Sequence, residues 1–152
     1  MISLLLGGLL REPSRRVKPV RNLIETVAWV RVAEGKILCA RSRGKDVFYI
    51  PGGKREPGET ELDTLLREIK EELTVDLLPD TARHVGTYRE QAHAHADGVV
   101  VVMSCYTADF QGTPAASSEI AELAWLRYAD RDRVAPVDQL LFDDLRTAGQ
   151  LR

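Results

Sequence analysis

Several things are missing from this chain of 152 residues. There is no basic excess: 21 lysines and arginines face 23 aspartates and glutamates, a formal net charge of −2. A nucleic-acid polymer is therefore not the expected partner, because such binding rests on neutralising many phosphates. Cysteine is scarce. Cys39 and Cys105 each sit in an apolar run, and two isolated cysteines make no disulfide framework. Both read as small buried side chains in a reducing, cytoplasmic setting. No apolar run reaches the roughly 20 residues a membrane-spanning helix needs. The apolar stretch Met1 to Leu10 is too short, and its arginines follow it rather than precede it, so it is also a poor signal peptide. Internal repeats and low-complexity tracts are absent too.

What remains is an ordinary soluble composition, 44% hydrophobic and 29% charged, of a length that suits one domain. Residues 1–20 read as an apolar N-terminal segment and a basic, proline-bearing linker; residues 21–152 read as the domain. An apolar segment outside the domain would need cover, from the domain or from a second subunit in a homodimer. Asn22 to Ala33 and Ile37 to Ala40 read as a hairpin around Glu34-Gly35-Lys36. Val47 to Ile50 reads as a short strand ended by Pro51-Gly52-Gly53. Thr60 to Leu73 is the clearest helix: Leu62, Leu65, Leu66, Ile69 and Leu73 recur on one face, Thr60 suits the cap, and Asp63 stands near the capping-box position. Thr81 to Gln91, Gly98 to Phe110 and Ile120 to Arg127 read as strands, Gln111 to Ser118 as a loop, and Pro136 to Leu151 as a final helix. Strands, helix, strands, helix favour an α/β or α+β sandwich with a mixed sheet.

The other face of the first helix carries the chemistry. Glu68, Glu71 and Glu72 stand at i, i+3 and i+4, so their carboxylates share a side. Like charges at that spacing cost an isolated helix roughly 0.2–0.5 kcal/mol per pair. They also lie toward the C-terminal end of the helix, where negative charge is disfavoured. A hard divalent cation would reverse that cost. Mg²⁺ takes oxygen ligands and keeps positions open for water and substrate phosphates. Two glycine turns, at Gly52-Gly53 and Pro57-Gly58, bring backbone close to this helix.

The stretch GKREPGETELDTLLREIKEELTV, Gly53 to Val75, resembles the Nudix box, G-x5-E-x7-R-E-U-x-E-E-x-G-U, with U a bulky aliphatic residue. Gly53, Glu59, Arg67, Glu68, Ile69, Glu71, Glu72 and Val75 fall in place. Thr74 stands where the family has a second glycine, at a helix end where a left-handed conformation is common. Either Thr74 bears that strain or the helix ends differently; no ligand side chain is lost.

The resemblance implies the Nudix fold and a Mg²⁺-dependent hydrolase, with Mn²⁺ as a possible substitute, that splits a diphosphate linkage in a nucleoside diphosphate derivative. It implies metal ligation by Glu68, Glu71, Glu72 and the Gly52 carbonyl, orientation of the glutamates by Arg67, and an auxiliary role for Glu59 and Gly53. Glu68 is the first choice as general base and Glu72 as main metal anchor. A further acid is expected before the last sheet strand. Glu119, six residues before Trp125 as in the MutT-like branch, is the candidate, with Glu122 competing.

Substrate contacts fall to Arg41 and Lys54, with Arg43, Lys45 and Arg55 nearby, and to Asp138, either a base-reading group or a helix cap. His93 and His95 fit a metal pair or, more simply, a loop bordering the cleft. The residues past the box, Glu90 and Gln91 to His93, lack the proline or tyrosine that marks ADP-ribose and dinucleoside polyphosphate families. The expected substrate is a small-molecule (deoxy)nucleoside triphosphate, an oxidised purine such as 8-oxo-dGTP among them. An ADP-ribose or nucleotide-sugar diphosphatase is the alternative enzyme, and a nucleotide sensor the alternative outside catalysis.

Overall fold

Strand propensity and alternation account for most of the sheet. A computed structural model describes residues 22–152; the N-terminal apolar segment and linker lie outside the described residues. Strand β1, Asn22–Trp29, opens the domain and is followed by β2, Val32–Ala33, and β3, Lys36–Ser42. Gly52–Lys54 forms β4 and Glu61–Leu73 forms α1. Asp76–Leu77 is β5, Arg83–Gln91 is β6, Val99–Thr107 is β7, Phe110–Gln111 is β8 and Ile120–Leu126 is β9. Pro136–Thr147 is α2.

Two sheets and a ribbon result. The first runs β4-β1-β7-β6, with β1 parallel to β7 and the outer pairs antiparallel, so it is mixed as expected. The second, β2-β3-β9, is antiparallel, and β5 pairs with β8. Alternation along β1 feeds two cores, because successive side chains leave opposite faces. Val27 and Trp29 join Leu38, Leu65, Ile69 and Leu73 under α1. Ala28 and Val30 join Cys39, Phe48, Ile50, Cys105 and the α2 residues Val137, Leu141, Phe142 and Leu145. The strand layer is thus sandwiched between the two helices. Both cysteines are buried and unpaired. Among the described residues, no helix is long and apolar enough to cross a membrane.

Four expectations about local structure change. Asn22 to Ala33 is not one strand: at Val30–Arg31 the chain passes between sheets, Val30 N–H bonding Tyr106 O at 2.8 Å and Leu38 N–H bonding Arg31 O at 2.9 Å. Val47 to Ile50 is not a strand but a crossing segment. Tyr49 exchanges backbone bonds with Ala40 and Phe48 with Arg133 and Ala135, leaving isolated bridges. The strand comes after Pro51, where Gly52-Gly53-Lys54 pairs with Ala28, Val27 and Thr26. Gly98 to Phe110 divides into β7 and β8, the latter going to a separate ribbon. The last helix stops at Thr147, and Gly149 at φ 74° turns the chain so that Leu151 tucks back into the core.

Candidate active site

Helix α1 starts where its residues dictate. The Thr60 hydroxyl accepts the Asp63 N–H at 3.1 Å and the Asp63 carboxylate accepts the Thr60 N–H at 3.0 Å, a closed capping box. The helix ends at Thr74, which takes φ 63° and donates its N–H to Lys70 O. Thr74 therefore bears the left-handed strain that a glycine would not.

The polar side of the helix is organised by Arg67. Its Nε and Nη2 each donate to Glu59 at 2.7 Å, a two-pronged contact, and its Nη1 donates to Glu68 Oε1 at 2.8 Å. A further N–H reaches the Lys54 carbonyl at 3.2 Å. Glu59 also accepts from Thr64 Oγ1 and from the Glu56 N–H. The Arg67 guanidinium, above all, holds the Glu59 carboxyl down at about 2. Glu68 goes the other way: burial raises its pKa against the opposing pull of Arg67.

Glu72 is the most constrained of the three helix glutamates. It is 2% exposed. Among the described residues its carboxylate accepts one hydrogen bond, from the Gly52 N–H at 3.1 Å. Burial pushes its pKa up to about 8, the Gly52 bond opposes that, and Glu68, Glu119 and Glu71 add repulsion. Two glycines make the approach of strand and helix possible. A Cβ on Gly53 would sit 2.3 Å from the Glu68 carboxyl carbon, and one on Gly52, at φ 153°, would sit 1.9 Å from the Val27 carbonyl oxygen.

These groups open into one cleft of about 530 Å³, a size that suits a small-molecule ligand. Gly52, Gly53, Lys54, Glu68, Glu72 and Glu119 line it together with an apolar wall that includes Val101, Met103 and Val137. Asp138 lies at its floor, buried, with Oδ1 accepting the Ile50 N–H at 3.0 Å; burial lifts its pKa to about 7. The cap residue of α2 is Ala135, and the Asp138 carboxylate in the first turn also meets its own backbone N–H, so it serves the helix start while lining the cleft. Lys45, His93 and His95 also line the cleft, and the His93 imidazole lies 4.0 Å from the Asp46 carboxylate. The loop reading of the two histidines fits this placement. Two groups that sequence reasoning passed over are Ser42 and Tyr49, cleft-lining residues whose hydroxyls meet at 2.9 Å. The only sequence signal for Tyr49 was its place just before Pro51-Gly52-Gly53.

Several sequence candidates lie outside the cleft lining, Arg67, Glu59 and Arg43 among them. Arg41 is drawn to Glu122 at 2.8 Å and to the Lys45 carbonyl, because Arg41 and Glu122 are cross-strand partners of β3 and β9. That pairing also takes Glu122 away from competition with Glu119. Glu71 is 55% exposed and approaches Arg67 at 3.8 Å. Arg55 pairs with Glu25.

Among the described residues no three His, Cys, Asp or Glu side chains close into a metal cage. The donor set still suits a hard divalent cation. Such an ion is held by few carboxylates and keeps room for water and phosphate oxygens, and here Glu68, Glu72 and Glu119 border open space and repel one another.

A sandwiched mixed sheet with an open, carboxylate-lined cleft matches the class of hydrolases that handle phosphorylated small molecules with divalent cations. The comparisons narrow the class. The family model for the NUDIX domain matches residues 21–145. The CTP pyrophosphohydrolase of Escherichia coli (strain K12) is 31% identical over 109 residues, 68% of this chain and 76% of that protein. The solution structure of the E. coli ORF135 protein superposes with a TM-score of 0.66 at 29% identity, covering 84% of this chain and 93% of that one. A MutT protein from Methanosarcina mazei Go1 shares the fold at 17% identity, with a TM-score of 0.67 over 88% of this chain and 98% of that one. This chain belongs to the Nudix family: it is a Nudix hydrolase, acting on phosphoanhydride bonds. Enzymes of this family act on small-molecule nucleotides and generally use divalent metal ions.

Proposed function

We propose that the chain is a Mg²⁺-dependent pyrophosphohydrolase that converts a (deoxy)nucleoside triphosphate to the monophosphate and pyrophosphate. One observation carries this reading: the Glu72 carboxylate is buried with a single neutral hydrogen bond, and the charges that act on it most are the carboxylates of Glu68, Glu119 and Glu71. Burying a carboxylate without a cation is costly.

In this reading Glu72, Glu68 and Glu119, with the Gly52 carbonyl, would hold the metal, and Glu71 would join from the exposed rim. A divalent cation held there would supply charge neutralisation for the diphosphate and would make water at the site more acidic. Glu68 is the base that takes a proton from the attacking water, as Arg67 fixes its orientation through Nη1. Water adds to one phosphorus of the anhydride, the bridging P–O bond breaks, and pyrophosphate leaves. Glu59 aligns Arg67 from the other side, and Gly53 leaves the space Glu68 occupies. Lys54 and Lys45 meet phosphate oxygens. The apolar wall and Asp138 take the base, and His93 and His95 border it. Arg41, tied to Glu122, is withdrawn from that list. The two buried free thiols suit a reducing compartment, and we assign the enzyme to the cytoplasm.

The base identity follows from a substrate panel. CTP and dCTP come first, because the curated relative acts on CTP by its name; 8-oxo-dGTP and ADP-ribose are the contrasts. Pyrophosphate release from a triphosphate is expected. Two monophosphate products from ADP-ribose at higher kcat/KM would replace the reading with a diphosphatase. Glu72→Gln is expected to cost at least about 100-fold in kcat, of the order expected when general acid–base or metal support is lost. Full activity in that variant would overturn the metal assignment.

A further inference from the structure

Two backbone hydrogen bonds fasten the segment between β8 and β9 to the end of α1. The last carbonyls of a helix have no partners within it. Here Leu73 O accepts the Ala115 N–H and Glu72 O accepts the Ser117 N–H, both at 3.0 Å. The segment thus caps the turn of helix that carries Glu72. One residue later Ser118 turns left-handed, at φ 56°. The Ile120 N–H closes that turn on Ser117 O at 3.1 Å, and Glu119 O accepts the Arg43 N–H at 2.8 Å, so the backbone is fixed on both sides. The Ser118 hydroxyl donates to Glu119 Oε2 at 2.5 Å. Positive φ is unfavourable for serine and persists where the surroundings impose it. Here it is imposed immediately before the one acidic side chain that β8 to β9 delivers to the cleft.

We propose that Ser118 is the positioning residue for Glu119: its left-handed turn aims the carboxylate at Glu68 and Glu72, and its hydroxyl fixes one carboxylate oxygen. The proposal rests on the reading of Glu119 as a metal-binding group. Glu72 and Glu119 are then tied to one structural unit, the end of α1 and the segment docked on it. Their separation is set before any ligand arrives. Hydrogen-bonding partners of ligating carboxylates commonly govern affinity in this way.

The test uses the full-length protein and Mn²⁺ alone, with calorimetric Kd and the metal-free Tm as readouts. Ser118→Gly keeps the left-handed turn and deletes the hydroxyl. Its metal-free Tm is expected to hold or rise, and its Kd for Mn²⁺ to weaken by about 10-fold. Ser118→Asn, which tolerates the same φ and brings an N–H donor, is expected to recover most of that loss. Glu119→Gln is expected to weaken binding at least as much. If Ser118→Gly binds Mn²⁺ like the unaltered protein while Glu119→Gln does not, Ser118 is no positioning residue. If Ser118→Gly loses metal-free stability and Ser118→Asn restores nothing, its role is only structural. If Glu119→Gln also binds normally, the metal reading of Glu119 fails and the proposal with it.

Discussion

At the scale of single residues, the two adjacent glycines of β4 do different things. Gly52 is enclosed by backbone: a side chain there meets the Val27 carbonyl and Ala28 Cα, neither of which can swing aside. Gly53 is enclosed by the end of a side chain, the Glu68 carboxylate. Their alanine variants should therefore separate stability from chemistry. Gly52→Ala is expected to lose about 3 kcal/mol or more in denaturant unfolding, since strain and overpacking combine. Gly53→Ala is expected to unfold within about 1 kcal/mol of the unaltered chain while losing at least about 10-fold in kcat, because Glu68 is pushed from its place beside Arg67. A Gly53→Ala enzyme with normal kcat would show that the Glu68 position is not needed. The glycine at position 53 was legible from the box, but the reason for it was not. A spacing pattern records that a residue is small and does not record what occupies the vacated volume.

At the scale of elements, α1 is the part best written in the sequence. Its Thr60 cap and Asp63 capping partner are local and appear where spacing placed them, and of the apolar face Leu65, Ile69 and Leu73 are buried while Leu62 and Leu66 are only half-buried. Its far end is where local and global preferences conflict. Thr74 bears the cost of φ 63° directly beside Leu73 and Glu72, on whose carbonyls Ala115 and Ser117 dock. Thr74→Gly relieves the Cβ strain but frees the unfolded chain. The net expectation is a gain of about 1 kcal/mol, seen as a Tm higher by about 2–4 °C for a domain of this size. A lower Tm would mean that the Thr74 side chain contributes a contact outweighing its strain. Short strands were read less well. Val47 to Ile50 has the composition of a strand, yet its hydrogen bonds divide between Ala40, Arg133 and Ala135, partners that no local pattern names. The β4 strand contains two glycines in three residues and has almost no strand propensity; it forms because β1 offers an edge and the glycines permit close approach.

At the scale of the whole molecule, the cleft lies where the strand layer, α1 and the start of α2 meet. Asp138 joins these parts by accepting the Ile50 N–H from the crossing segment. Burial raises its pKa from 3.8 to about 7, so folding favours its protonated form. In that window the native state binds more protons than the unfolded state, and stability falls as pH rises. Below about pH 4 both states are protonated and the effect vanishes; above about 7 the penalty is complete. The expected size is on the order of 4 kcal/mol for a shift of that extent. Asp138→Asn keeps the acceptor for Ile50 and removes the titration. It should match the unaltered protein near pH 4 in urea unfolding, then exceed it increasingly up to pH 7. A constant difference across that range would show that Asp138 titrates normally.

Sequence alone determined the family, the glutamate-bearing helix and the box residues, because those depend on spacing within one continuous segment. Periodicity and capping act over a few residues, and a helix must present i, i+3 and i+4 on one side wherever it is packed. Only the tertiary structure decided which charges face the cleft. Arg41 and Glu122 are 81 positions apart and meet through strand register; their pairing withdraws one proposed phosphate contact and leaves Glu119, just before β9, as the acid lining the cleft from that side. Likewise Glu71 shares a helix side with Glu68 and Glu72 but stays at the exposed rim, since only Glu72 is drawn under Gly52. Those outcomes depend on contacts between segments distant in the chain, which spacing along it does not encode.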